Sequence, residues 1–356
     1  MHSILIASLT GLSCLSSVVS AAPFKFPLSN GFPNIANPSG QLTDIEKAAH
    51  GSLPNGTPPA NVTSDTLTSL KLIAFNELTE VAFFTELISN ITKKVDGYYD
   101  GYDNIDAILS AVTAVQAQEE LHTLNANGAL SHFKQAPIQP CQYNFPVDNL
   151  KDAIILASTF TDVVLGTLQD VQSLLGTDGD IGLIRGVGSV IGQEGEQNGF
   201  YRSLLGKIPS ALPFLTTSTR EFAFSALNQG FVVPGSCPNI NTISLPIFKP
   251  LTVDTANIQA KQQTLEFSIA KDSSISDYST LSIVYINQQN TPVVEKISDI
   301  NVKSDTVSFK ANFPFNGTTF GNGLTIAALT TSAGPFANAD AVAKATYAGP
   351  GLIEIN

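Results

Sequence analysis

The chain has 356 residues, 43% of them hydrophobic, and its 18 Lys and Arg against 30 Asp and Glu give a formal net charge of -12. The hydrophobic content excludes a disordered chain, and the length allows two packed cores. The acidic balance excludes a nucleic-acid backbone as partner, because phosphates need clustered Lys and Arg, and it disfavours anionic membrane surfaces.

Residues 1–22 read as a signal peptide. His2 stands in a weak n-region, an apolar stretch runs from Ile4 to Val19, and Ser20, Ala21 and Ala22 place cleavage near Ala21 or Ala22. The stretch is short and contains Ser and Thr, so export is expected rather than anchoring. No other segment has ~18 consecutive apolar residues, so no membrane span is expected. Cys14 leaves with this segment. Cys141 and Cys237 remain, both in Pro-containing loops (Gln-Pro-Cys-Gln and Gly-Ser-Cys-Pro), and in an oxidising route they form a natural disulfide pair. Four Asn-x-Ser/Thr sequons, at Asn55, Asn61, Asn90 and Asn316, fit an exported glycoprotein and should face solvent.

Residues 23–64 are rich in Pro, Gly, Asn and Ser and read as an extended N-terminal arm. From 65 to 235 the pattern is helical. A first helix spans about Asp65 to Thr92 with Asp65 as N-cap, and a second spans about Asn104 to Leu124, capped by Asn104 or Asp103. A third runs from about Val147 to Leu175, a fourth from about Asp180 to Leu205, and a short one covers about Thr219 to Gln229. The Cys237–Pro246 stretch is the linker. From 244 to 356 short β-like runs take over: Thr264–Ile269, Thr280–Ile286, Val293–Ile297, Thr306–Ala311 and Leu324–Leu329, separated by turn residues such as Asn287, Pro292 and Gly321. That spacing predicts a β-sandwich of ~110 residues, with no catalytic constellation in it. The fold class is therefore α+β, multidomain.

The chemistry lies in the helical half. At alternating three- and four-residue steps each helix shows an apolar stripe interrupted by polar groups: Glu77 and Glu80 on the first helix, Glu119 and His122 on the second, Thr161 on the third, Glu194 and Gln197 on the fourth. Carboxylates on an apolar stripe lose hydration and repel each other. Three outcomes relieve this: some stay protonated, some hydrogen-bond Thr161, Gln197, Tyr201 or water, or a cation neutralises them. Glu119-x-x-His122 sets a carboxylate and an imidazole one turn apart on one face, the spacing used for metals in bundle cores, and hard oxygen donors with one nitrogen suit iron or manganese. Other motifs fail. The Gly186–Gly192 run lacks a nucleotide-loop spacing, the Asp96–Asp103 stretch lacks the closing Glu of a calcium loop, and His50 and His132 lie in loop-like, solvated sequence.

The run Leu70-Lys-Leu-Ile-Ala-Phe-Asn-Glu-Leu-Thr-Glu-Val-Ala-Phe-Phe-Thr-Glu86, with Gln118-Glu-Glu-Leu-His122, Thr159–Gly166 and Ile191–Gln197, resembles the ferritin-like domain of fungal secreted proteins of late sexual development and stress response, related to plant desiccation-related proteins. The resemblance spans 65–235, and a β-rich C-terminal part also fits those proteins. It implies a ferritin-like four-helix bundle followed by the β-sandwich, and a pattern of Glu, Glu-x-x-His, Glu, Glu-x-x-His along the four helices. Glu77, Glu119, His122 and Glu194 match it. Thr161 stands in place of the third-helix Glu and Gln197 in place of the second His. Half of a two-metal site is kept, so the expectation is one iron or manganese ion at most, held by Glu77, Glu119, His122 and Glu194, and no two-electron oxygen chemistry. A metal-free structural bundle is the alternative at the site. For the whole chain the resemblance implies a secreted or cell-wall glycoprotein of development or stress, non-enzymatic, with cell-wall polysaccharide or protein partners. The competing readings are a metal-dependent oxidase or peroxide-handling enzyme, and a wall-carbohydrate-binding protein.

Overall fold

A computed structural model of the protein describes residues 25–102 and 104–355. The expected signal peptide at 1–22, Cys14 within it, and the alternative cap Asp103 lie outside the described residues. Long amphipathic runs form the helices that the apolar spacing predicts: α2 (Ser64–Thr92), α3 (Ile105–His132), α4 (Leu150–Asp178) and α5 (Ile184–Leu204), the last preceded by a 3-10 turn, Ile181–Leu183. They make a four-helix bundle whose core includes Leu78, Phe84, Val112, Ile154 and Tyr201. A short α6 (Arg220–Gly230) follows.

Four details depart from the sequence expectation. The segment 23–64 is not extended throughout: α1 (Gly40–Ala49) is capped by Ser39 and buries Leu42, Ile45 and Ala49 against Ala117 and Leu121 of α3. The cap of α2 is Thr63, whose hydroxyl accepts from the Thr66 amide; Asp65 instead receives the Arg220 guanidinium on both carboxylate oxygens. α3 continues two turns past Leu124, because Ala126 and Leu130 still meet the core and outweigh the poor helix formers Asn125, Asn127 and Gly128. Asn104 precedes α3 without a side-chain capping bond.

α4 runs through the middle of the molecule. By length and composition it could cross a membrane, but 83% of its apolar window is buried inside the fold. Its Gly166 is required by a close approach: a Cβ there would lie 2.2 Å from the Thr216 carbonyl oxygen.

The C-terminal part folds into two antiparallel four-stranded sheets: β1 (Thr252–Val253), β2 (Gln263–Ala270), β6 (Thr306–Phe313) and β5 (Ser298–Val302) in the order β1-β2-β6-β5, and β4 (Val293–Lys296), β3 (Ser282–Asn287), β7 (Gly323–Thr330) and β8 (Thr346–Ile355) in the order β4-β3-β7-β8. β6 alternates buried and half-buried residues, as a strand with one wet face should. β3 and β7 are buried on both faces. One face meets the other sheet through Ile283, Tyr285, Phe267 and Phe309. The opposite face, Val284, Ile286, Leu324 and Ile326, packs on Val163 of α4, on Phe222 and Ala223 of α6, and on Val342 of α7 (Ala339–Ala345). Bundle and sandwich thus share a core.

Cys141 and Cys237 form the disulfide, linking the segment after α3 to the segment after α6. Of the four sequons, Asn55, Asn61 and Asn316 are exposed; Asn90 departs from the expectation, being half-buried in the last turn of α2.

Candidate metal centre

The site is set by helical periodicity. Glu77 and Glu80 lie one turn apart on α2, Glu119 and His122 one turn apart on α3, and Glu194, Gln197 and Tyr201 climb the inner face of α5, so all point to one level of the bundle. All three helices bury these groups: Glu77, Glu80, Glu119 and Glu194 are at most 2% exposed, and the His122 side chain is 16% exposed. One ligand atom each from Glu77, Glu119, His122 and Glu194 falls within 4.8 Å of the others. The four residues that the sequence pattern selects are therefore brought together.

Within this cluster His122 Nδ1 lies 2.8 Å from Glu119 Oε2 and 3.4 Å from Glu77 Oε2. Gln197 Nε2 donates to Glu119 Oε1 at 2.6 Å and to Gln118 Oε1 at 3.1 Å. Asn76 Nδ2 donates to Glu80 Oε1 at 2.9 Å. Several acceptors are left over. Both Glu194 carboxyl oxygens and Thr161 Oγ1 are buried without a hydrogen-bond partner among the described residues. Buried oxygens without donors are costly, so a cluster of them marks a place built for something positively charged or protonated.

The electrostatics divide the acids into two kinds. Burial raises Glu194 and Glu80 well above the usual carboxylate range, and the neighbouring carboxylates add to it. Burial pushes Glu77 up to about 7, against the pull of His122. Glu119 differs: burial acts upward, but His122 and the hydrogen bonds from His122, Glu77 and Gln197 outweigh it and hold the group low. Burial acts downward on His122, yet Glu119 and Glu77 raise it well above its ordinary value. Without a cation the centre thus sets a lowered Glu119 against a raised His122, among acids that burial pushes toward their protonated forms.

The two departures from the paired-metal pattern have structural consequences. The Gln197 amide donates to Glu119 Oε1, so one oxygen of that carboxylate already has a neutral N–H partner. Thr161 on α4 offers a hydroxyl with no negative charge. Sequence reasoning missed the outer layer. Gln118 accepts from both Gln193 (2.9 Å) and Gln197, and Asn76 anchors Glu80. Gln118 and Gln193 each precede a seam residue by one position, so the apolar stripe gives no signal for them.

A four-helix bundle with acidic and imidazole side chains converging at mid-height is an arrangement that could hold a metal ion. Residues 68–207, which span all four bundle helices and every residue of the cluster, match the family model of the ferritin-like domain. The chain carries a ferritin-like domain followed by a two-sheet β region. No curated protein matches it by sequence.

Proposed function

We propose that the bundle holds a single divalent iron or manganese ion through Glu77, Glu119, His122 and Glu194, in a secreted, N-glycosylated, non-enzymatic protein of the developmental or stress-response kind that the sequence resembles. The observation that carries the metal reading is Glu194: both carboxyl oxygens lack a partner, and the group lies within 4.8 Å of three other ligand-type side chains. Three carboxylates and one imidazole are the donor set for a hard or borderline cation. Such an ion would supply the positive charge that the orphan oxygens lack. His122 would give up its proton to offer a nitrogen, and Glu77 and Glu194 would release theirs as they ligate. Gln197 keeps Glu119 oriented from the other side. With that amide on Glu119 and no acid at Thr161, the residues favour one ion over two, which weighs against the metal-dependent oxidase or peroxide-handling reading to the extent that its chemistry needs a pair of metals. Export is supported by the disulfide, which belongs in an oxidising compartment.

The test is metal analysis of the full chain after loading with iron, manganese and zinc in turn. One equivalent is expected, lost in His122→Ala and kept in the surface variant His132→Ala. The absence of a stoichiometric metal from the folded parent protein defeats the metal reading. Oxygen or peroxide turnover that disappears with His122→Ala would favour the enzyme reading instead.

A further inference from the structure

A second feature borders the bundle core at Asn76, Leu156 and Phe160, and its argument does not depend on the metal reading. A cavity of about 370 Å³ opens between α4, the end of α6, the segment 250–258 and β8. Its walls are chiefly apolar: Ile155 and Val163 of α4, Ala226 and Phe231 from α6 and just beyond, and Leu251 and Leu352 from the β part. α4 lines it from Lys151 to Val164, about 20 Å by helical rise. A lining of that length suits an extended hydrocarbon chain. A mostly apolar hollow of this size at the junction of two packed units, with a few polar groups at fixed points, is the usual form of a small-molecule site.

The polar groups define the ligand. Lys207, just beyond α5, and Glu354, on β8, both line the cavity. Lys207 is half-buried and forms no ion pair among the described residues. The two carboxyls near it are otherwise engaged. Asp162 accepts from Asn198 Nδ2 at 2.9 Å. Burial, and then the neighbouring Asp162, raise Glu354 well above the usual carboxylate range, and its side chain hydrogen-bonds Asp162. One Glu354 oxygen is buried without a hydrogen-bond partner among the described residues. A half-buried ammonium without an ion-pair partner, at the edge of an apolar hollow, makes a seat for an anionic oxygen pair, with Lys207 supplying the charge.

We propose that this cavity binds a single-chain monocarboxylate amphiphile, its hydrocarbon chain laid along α4 and its carboxylate at Lys207. Decanoate is a suitable probe, and decanol is the control for the chain alone. Calorimetric titration of the full chain is expected to show saturable one-to-one decanoate binding, with decanol about tenfold weaker or more. Lys207→Met should bring decanoate down to the level of decanol and leave decanol unchanged, which also shows that the variant is folded. Ala226→Phe, placed in the cavity wall, should weaken both. Equal affinity for decanol and decanoate, no saturable binding to the parent protein, or decanoate binding unaffected by Ala226→Phe would each overturn the proposal.

Discussion

Glu194 has the greatest unmet demand in the bundle, and its substitution separates the two roles a buried acid can play. It is fully buried, both oxygens lack partners, and burial with neighbouring Glu77 and Glu119 keeps it protonated without a cation. Glu194→Leu removes a polar group that has no compensation, so the metal-free protein should gain about 1–3 kcal/mol of stability by urea unfolding while stoichiometric metal is lost. A metal-free Glu194→Leu that is less stable than the parent would show the carboxyl to be satisfied by structure alone. At this scale the sequence was informative because the stripe of each helix is apolar enough for an acid on it to stand out. Spacing singles out Glu77, Glu80, Glu119, His122, Thr161, Glu194 and Gln197, and the family resemblance narrows them to Glu77, Glu119, His122 and Glu194. The same logic is blind to Gln118 and Gln193, which reach the centre sideways.

Among the elements, the start of α2 depends on one hydroxyl. Thr63 Oγ1 caps the Thr66 amide and reaches Asp178 Oδ2 at the end of α4 (2.7 Å), and the Thr63 amide donates to Asp180. Thr63→Ala should therefore cost about 1–2 kcal/mol. Thr63 is also the third residue of the Asn61 sequon, so Asn61→Gln is the needed control: it removes any glycan and keeps the cap. If both variants lose the same stability, the glycan and not the cap is responsible. The Arg220–Asp65 pair gives a second contrast. Arg220 donates to the Asp65 carboxylate, to the Asp65 backbone carbonyl and to Ser69 Oγ, whereas the Asp65 side chain is 45% exposed. Arg220→Ala should cost about 2–3 kcal/mol and Asp65→Ala less than about 1. Equal losses would mean the ion pair alone matters.

Element types were legible because their periods differ, 3.6 for the bundle and 2 for β6. The boundaries were less so. Asp65 looked like a cap because acidic residues favour first turns, yet tertiary contact with Arg220 claims it. α1 was hidden in a Pro- and Gly-rich stretch, since three buried residues, Leu42, Ile45 and Ala49, are too few to show a period. β3 and β7 read as plain apolar runs because both faces are covered, which the alternation rule cannot report.

At the scale of the molecule, pH acts through acids buried away from the metal centre. Burial raises Asp162 to about 6 and Asp170 to about 7, in the latter case with Asp340 adding and Arg220 opposing. A carboxyl raised in the folded state holds its proton to higher pH than in the unfolded chain. Its contribution to stability is therefore complete below the unfolded value near 4 and lost as pH climbs to about 7. The net charge of -12 works in the same direction through self-repulsion. The melting temperature should be higher at pH 5 than at pH 8, and Asp170→Asn should reduce the difference. A melting temperature that rises over that interval contradicts this account. The disulfide closes a separation of 96 residues. Replacing both cysteines with Ala should cost about 5 kcal/mol on the chain-entropy model, and the loss should be insensitive to pH.

The sheet that carries β3 and β7 has a dry neighbour on each side, strands on one and helices on the other. Neither half of the chain can be lifted out without wetting a broad greasy wall. Severed between 237 and 246, the two pieces should be sticky alone and recombine when mixed, and heating the intact protein should give one calorimetric peak where independent modules would give two.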